Sequence, residues 1–69
     1  MDRRRIELQI RTILVTYRGE RRHHDSEVMR GVRQRAEELL ADLEGAVEAY
    51  PDLRARLAEV RREINEAGG

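Results

Sequence analysis

Apolar positions recur at helical spacing over most of this chain. Between residues 26 and 50, Val28, Met29, Val32, Ala36, Leu39, Leu40, Leu43, Ala46, Val47 and Tyr50 fall within an arc of about 120° on a helical wheel. Arg30, Glu37, Glu38, Asp42 and Glu48 lie outside it. That pattern predicts one long amphipathic helix over 26–50. Asp25 or Ser26 supplies the side-chain oxygen that caps its first free N–H groups. Gly31 and Gly45 lie off the apolar face, and each weakens the helix by up to about 1 kcal/mol relative to Ala.

A further helix is predicted over 52–66, with a narrower stripe of Leu53, Leu57, Val60 and Ile64. Pro51 suits a helix start, where its missing N–H would have no partner anyway, and Asp52 favours the positive helix end. The residue before a proline is pushed away from helical geometry, so Tyr50 marks a break or a kink. The two stripes share a phase: from Met29 to Ala67 the apolar positions keep a three-four spacing, as in a coiled coil. Leu40 and Val47 flank that seam and widen it toward a bundle-type face. Arg56 would also meet Arg61 of a parallel partner. Two helices broken at Pro51 are therefore favoured over one continuous kinked helix.

Residues 2–18 carry Ile6, Ile10, Ile13, Leu14 and Tyr17 on one helical stripe, with Leu8 and Val15 on the opposite side. Such a two-faced helix needs cover on both sides. As a strand, Ile6, Leu8 and Ile10 alternate correctly, but the phase then flips to Ile13, Val15 and Tyr17, so helix is favoured. Residues 19–25 read as a polar loop and 67–69 as a tail, with Gly68-Gly69 as the helix stop. The expected fold is all-α: one small domain over 1–69 with two or three helices, a helical hairpin or kinked coiled-coil-like arrangement completed by oligomerisation.

Size sharpens that expectation. A chain of 69 residues buries only about 60% of the surface its unfolded form exposes. No cysteine is available for disulfides or thiolate-held zinc, so self-association is the common remaining remedy. The expected interface with another copy is Leu39, Leu43, Tyr50, Leu53, Leu57, Val60 and Ile64. No apolar run approaches the roughly 18 residues of a membrane span, and Glu7, Gln9 and Arg11 interrupt the one candidate signal segment. A cytoplasmic location is the expectation.

The formal net charge is zero, from 14 arginines and 14 acids with no lysine. A GC-rich genome accounts for arginine in place of lysine without selection for guanidinium. The zero hides an asymmetry: residues 1–35 hold ten arginines and five acids, residues 36–69 four arginines and nine acids. Such polarity suits an antiparallel or intersubunit arrangement in which basic and acidic halves face each other, or a polyanion partner. Under the second alternative, Arg18, Arg21, Arg22, Arg30 and Arg33 would contact phosphates, since guanidinium forks match phosphate oxygens. Aromatics for stacking bases and a basic overall balance are missing, so nucleic-acid binding is not favoured.

Chemistry finds little footing. His23-His24-Asp25 has no second ligand set at metal-binding spacing and reads as a loop with a helix cap. Ser26 is the one serine, and the glycines follow no phosphate-loop spacing. Glu37, Glu38, Glu44 and Glu48 fall on polar helix faces, where carboxylates stay solvated. No enzyme, cofactor or metal is expected. The expected function is protein-protein interaction, as a homo-oligomeric adaptor, accessory subunit or small regulator. Its partners would be itself and a second protein, and the alternative is a nucleic-acid-binding regulator dimerised through its C-terminal helices.

Overall fold

Three helices follow one another in a computed structural model that describes residues 2–23 and 25–67: α1 (Arg3–Arg21), α2 (Ser26–Val47) and α3 (Pro51–Ala67). The described residues contain no strand, which settles residues 6–17 as helix. His24 and the Gly68-Gly69 stop lie outside the described residues.

Each helix begins where local chemistry allows. Asp2 caps α1 by accepting from the Arg5 N–H at 2.9 Å. Asp25, rather than Ser26, caps α2 by accepting from the Val28 N–H at 3.0 Å. At Tyr50 the chain turns: its N–H donates to the Val47 carbonyl, and its own carbonyl accepts from the Arg54 N–H, both at 2.9 Å. Pro51 keeps Tyr50 from continuing α2 and opens α3 with a residue that needs no N–H partner. The predicted 26–50 helix therefore ends at Val47, and the chain turns back instead of kinking.

The loop predicted over 19–25 is a correction. Helix α1 runs on to Arg21, leaving residues 22–25 as the connection. Gly19 lies within α1, and no glycine among the described residues has positive φ. Buried Tyr17 and the paired Arg18 hold the last turns down, and Arg18 and Arg21 complement the negative end of the helix dipole.

Tertiary pairs give the directions. Arg3 meets Asp52 and Arg18 meets Glu63, so α1 and α3 run parallel; Arg61 meets Glu44 across the Tyr50 turn, so α2 is antiparallel to α3. The core draws Ile6, Ile10, Leu14 and Tyr17 from α1, Met29, Ala36, Leu40, Leu43 and Val47 from α2, and Leu53, Leu57, Val60 and Ile64 from α3. Leu40 and Val47 are fully enclosed, which is why the seam spreads beyond a two-helix stripe. The shared three-four phase of the second half is satisfied within the chain, with α1 as the third wall. No helix among the described residues is long and apolar enough to cross a membrane.

Gly45 sits in the last turn of α2 without a positive φ, and a Cβ built on it meets no atom within 4 Å. Gly45→Ala is expected to stabilise the fold by about 0.5–1 kcal/mol through reduced freedom of the unfolded chain. The thermal midpoint should rise by about 3–6 °C; an unchanged or lower midpoint would contradict an open site there.

Candidate interaction face

Helix α1 is apolar on two sides, and the bundle covers only one. Ile6, Ile10, Leu14 and Tyr17 point into the core, leaving Leu8 62% and Val15 59% exposed. Across the neighbouring groove, Val28 and Leu39 lie at the edge of the broad apolar arc of α2, and they are 47% and 37% exposed. These four are the exposed large apolar side chains among the described residues: Leu39 meets Leu8 in one depression, Val28 lines the groove beside it, and Val15 lies with Leu8 on the outer surface of α1.

The floor between them is also apolar. Ile13 and Val32 are half-buried there, packed against the core. An open groove of about 590 Å³ runs between Thr12, Thr16 and Tyr17 on α1 and Val28, Gly31, Val32 and Leu39 on α2. Glu20 and Arg35 stand on its two slopes. A shallower depression continues it to Leu8, Gln9 and Asp42. Small and β-branched side chains along it leave the apolar surface of this groove open to solvent.

The groove itself carries both signs of charge, Glu20 on α1 and Arg35 and Asp42 on α2. Arg4 and Arg11 line a separate groove between α1 and α3, beside Asp52 and Arg56, and Arg18 is held by Glu63 of α3.

Elsewhere the charge asymmetry is spent within the chain. Arg3 grips Asp52 with both terminal nitrogens and lies 5.8 Å from the Tyr50 ring centroid. Hydrogen bonding from Arg3 holds the Asp52 carboxyl at a pKa of about 2, against the opposing effect of desolvation. Arg18 donates two bonds of 2.7 Å to Glu63, and this pairing lowers the Glu63 pKa and raises that of Arg18. All of these groups are solvent-accessible, so the pairs set helix register more than they stabilise. Basic α1 and the acids of α3 face each other within one chain and between parallel helices, not in the antiparallel or intersubunit arrangement expected from the sequence.

The predicted site residues divide accordingly. Leu43, Leu53, Leu57, Val60 and Ile64 are buried in the chain's own core, and Tyr50 is half-buried against it. Self-association through them would require the bundle to open. Leu39 is the one member of that set that is exposed. Among the candidate phosphate contacts, Arg18 is engaged by Glu63, whose field also includes Arg21 and Arg56. Arg22 and Arg30 are exposed; Arg33 is half-buried, with its Nε shielded from solvent and unpaired. Among the described residues, no three His, Asp or Glu side chains gather as metal ligands would, and none of the buried side chains is polar or charged. No protein-family model, curated protein or solved structure matches this chain.

The double-sided character of α1 was readable from the positions of Leu8 and Val15. The exposure of Val28 and Leu39 was not. Both belong to the apolar arc of α2, and only the placement of α1 decides which edge of that arc stays uncovered.

Proposed function

We propose that this protein is a non-enzymatic helical interaction module, a homo-oligomeric adaptor, accessory subunit or small regulator that works through the α1–α2 face. The observation that carries this reading is the exposure of Leu8, Val28 and Leu39 along the α1–α2 groove, with Val15 beside Leu8 on α1, on a bundle whose own core is already closed. Burying such a strip contributes roughly 25 cal/mol per Å² of apolar area removed from water. A face of this kind on a small, otherwise highly charged protein marks an interaction surface. The alternative, a phosphate-binding first half, is less well supported, because Arg3 and Arg18 already hold the chain's own carboxylates.

Both ends of the face can be changed without touching the core. A Leu8→Asp, Leu39→Asp double variant places two charges where side chains already meet solvent. Sedimentation should show the wild-type chain self-associated, and the double variant monomeric with an unchanged helical circular dichroism spectrum. A wild-type chain that stays monomeric at high micromolar concentration would overturn the homo-oligomeric reading.

A further inference from the structure

We infer that the outer ridge of α1 docks on an anionic phospholipid surface, with Leu8 and Val15 entering below the headgroups and arginines on either side binding lipid phosphates. This contact goes beyond the self-association proposed above and does not rest on it. Its basis is a single stripe of α1. Arg4, Leu8, Arg11, Val15, Arg18 and Arg22 follow at alternating steps of four and three residues, so basic and apolar side chains share one line down the helix. The outer half of α1, opposite Ile6, Ile10, Leu14 and Tyr17, adds Arg5 and holds no acid.

The positive charge of this ridge is not spent within the chain. Arg4, Arg5, Arg11 and Arg22 are exposed, and none of them forms an ion pair among the described residues. The acids on the α3 side are held by other arginines: Glu7 and Asp52 by Arg3, Glu59 by Arg56 and Glu63 by Arg18. On the α2 side, Glu20 and Asp42 belong to the groove beyond the ridge. A shallow depression on the ridge itself is lined by Leu8, Arg11, Thr12, Val15 and Thr16, again without an acid.

A bilayer surface satisfies both halves of this pattern. Its phosphates accept hydrogen bonds from guanidinium forks, and apolar side chains gain by reaching the acyl boundary just beneath. Arginine stems can lie along Leu8 and Val15 while their charged heads stay at the level of the phosphates. Helix α1 has 19 residues and is about 28 Å long, so its whole ridge can lie flat on the surface. A nucleic-acid backbone would engage the arginines but set Leu8 and Val15 against charged phosphates. The ridge also has no aromatic ring on which a base could stack. The four unpaired arginines select anionic over zwitterionic lipid, each contributing about fivefold in affinity.

Vesicle co-sedimentation tests the charge and the apolar parts separately. The wild-type chain should bind vesicles of equal parts phosphatidylcholine and phosphatidylserine at low salt, bind phosphatidylcholine vesicles far less, and lose affinity as salt rises. An Arg4→Gln, Arg11→Gln, Arg22→Gln variant should lose on the order of a hundredfold in affinity for the mixed vesicles. Leu8→Gln with Val15→Gln keeps every charge and should still weaken binding about tenfold. All five positions are exposed, so both variants should keep the wild-type circular dichroism spectrum. The arginine variant should also self-associate like the wild-type chain, so loss of this contact and loss of the groove contact are read independently. No binding to the mixed vesicles at low salt overturns the proposal, as does binding that survives the arginine changes. Random-sequence duplex DNA is the competing arm. If it binds as tightly as the mixed vesicles and the Leu8 and Val15 changes have no effect on either, the ridge is a nucleic-acid surface and the lipid assignment fails.

Discussion

Leu57→Asp should unfold this protein, not release a folded monomer. Leu57 is 4% exposed and packed in the common core of the three helices. A carboxylate there would lose its hydration in surroundings whose buried side chains are all apolar. An unpaired buried charge costs several kcal/mol, and a single small core rarely supplies more than about 3–5 kcal/mol in total. Far-ultraviolet circular dichroism should fall to an unfolded spectrum at every protein concentration, and amide hydrogens should exchange at unprotected rates. The seam position makes this variant informative. If Leu57 lay at a contact between copies, the same change would leave a folded, soluble monomer, and that outcome would contradict the bundle described here.

Leu40→Ala is the second large effect. Leu40 has no solvent exposure and sits mid-way along α2, between α1 and α3. Removing three carbons there forfeits their transfer free energy and opens a void that the neighbouring side chains fill only in part. Leu→Ala changes of this kind cost about 2–5 kcal/mol. Urea denaturation should show a midpoint moved to low urea or a chain already largely unfolded in buffer. Leu39→Ala, one residue away but 37% exposed, should change stability much less. Equal losses at the two positions would mean that α2 is rotated about its axis relative to this packing.

The paired comparison also shows how far a residue pattern can be read. The wheel of α2 places Leu39 and Leu40 on the same apolar arc and cannot separate them, since any arc of about 120° has two edges and a centre. Position on that arc becomes burial only when neighbours are assigned. Helix α1 covers the arc as far as Ile13 and Val32, and there the coverage stops. The same limit applies to the heptad seam. A three-four spacing reports that a stripe must be buried, but the burying surface can be another copy or another helix of the same chain. Here the missing wall is α1, whose Ile6, Ile10, Leu14 and Tyr17 close the core from within.

The charges follow the same logic. The basic first half and acidic second half predict attraction between parts of the sequence. Parallel packing of α1 and α3 is what turns that into Arg3 with Asp52 and Arg18 with Glu63. It also sets Arg4 and Arg11 along the α1–α3 groove beside Asp52 and Arg56.

Local rules on their own favoured helices over all three stretches, narrowed the α2 cap to Asp25 or Ser26 and placed a break or kink before Pro51, because each depends on a few adjacent residues and on backbone geometry. They also determined that α1 is apolar on two sides and that the second half carries a continuous stripe. Tertiary packing alone decided which apolar residues became core and which stayed in water. That choice depends on the relative placement of whole helices, to which residues 40 or more apart in sequence contribute together. It filled the seam from inside the chain and left Leu8, Val15, Val28 and Leu39 as the unburied apolar surface, through which we propose the protein meets a partner.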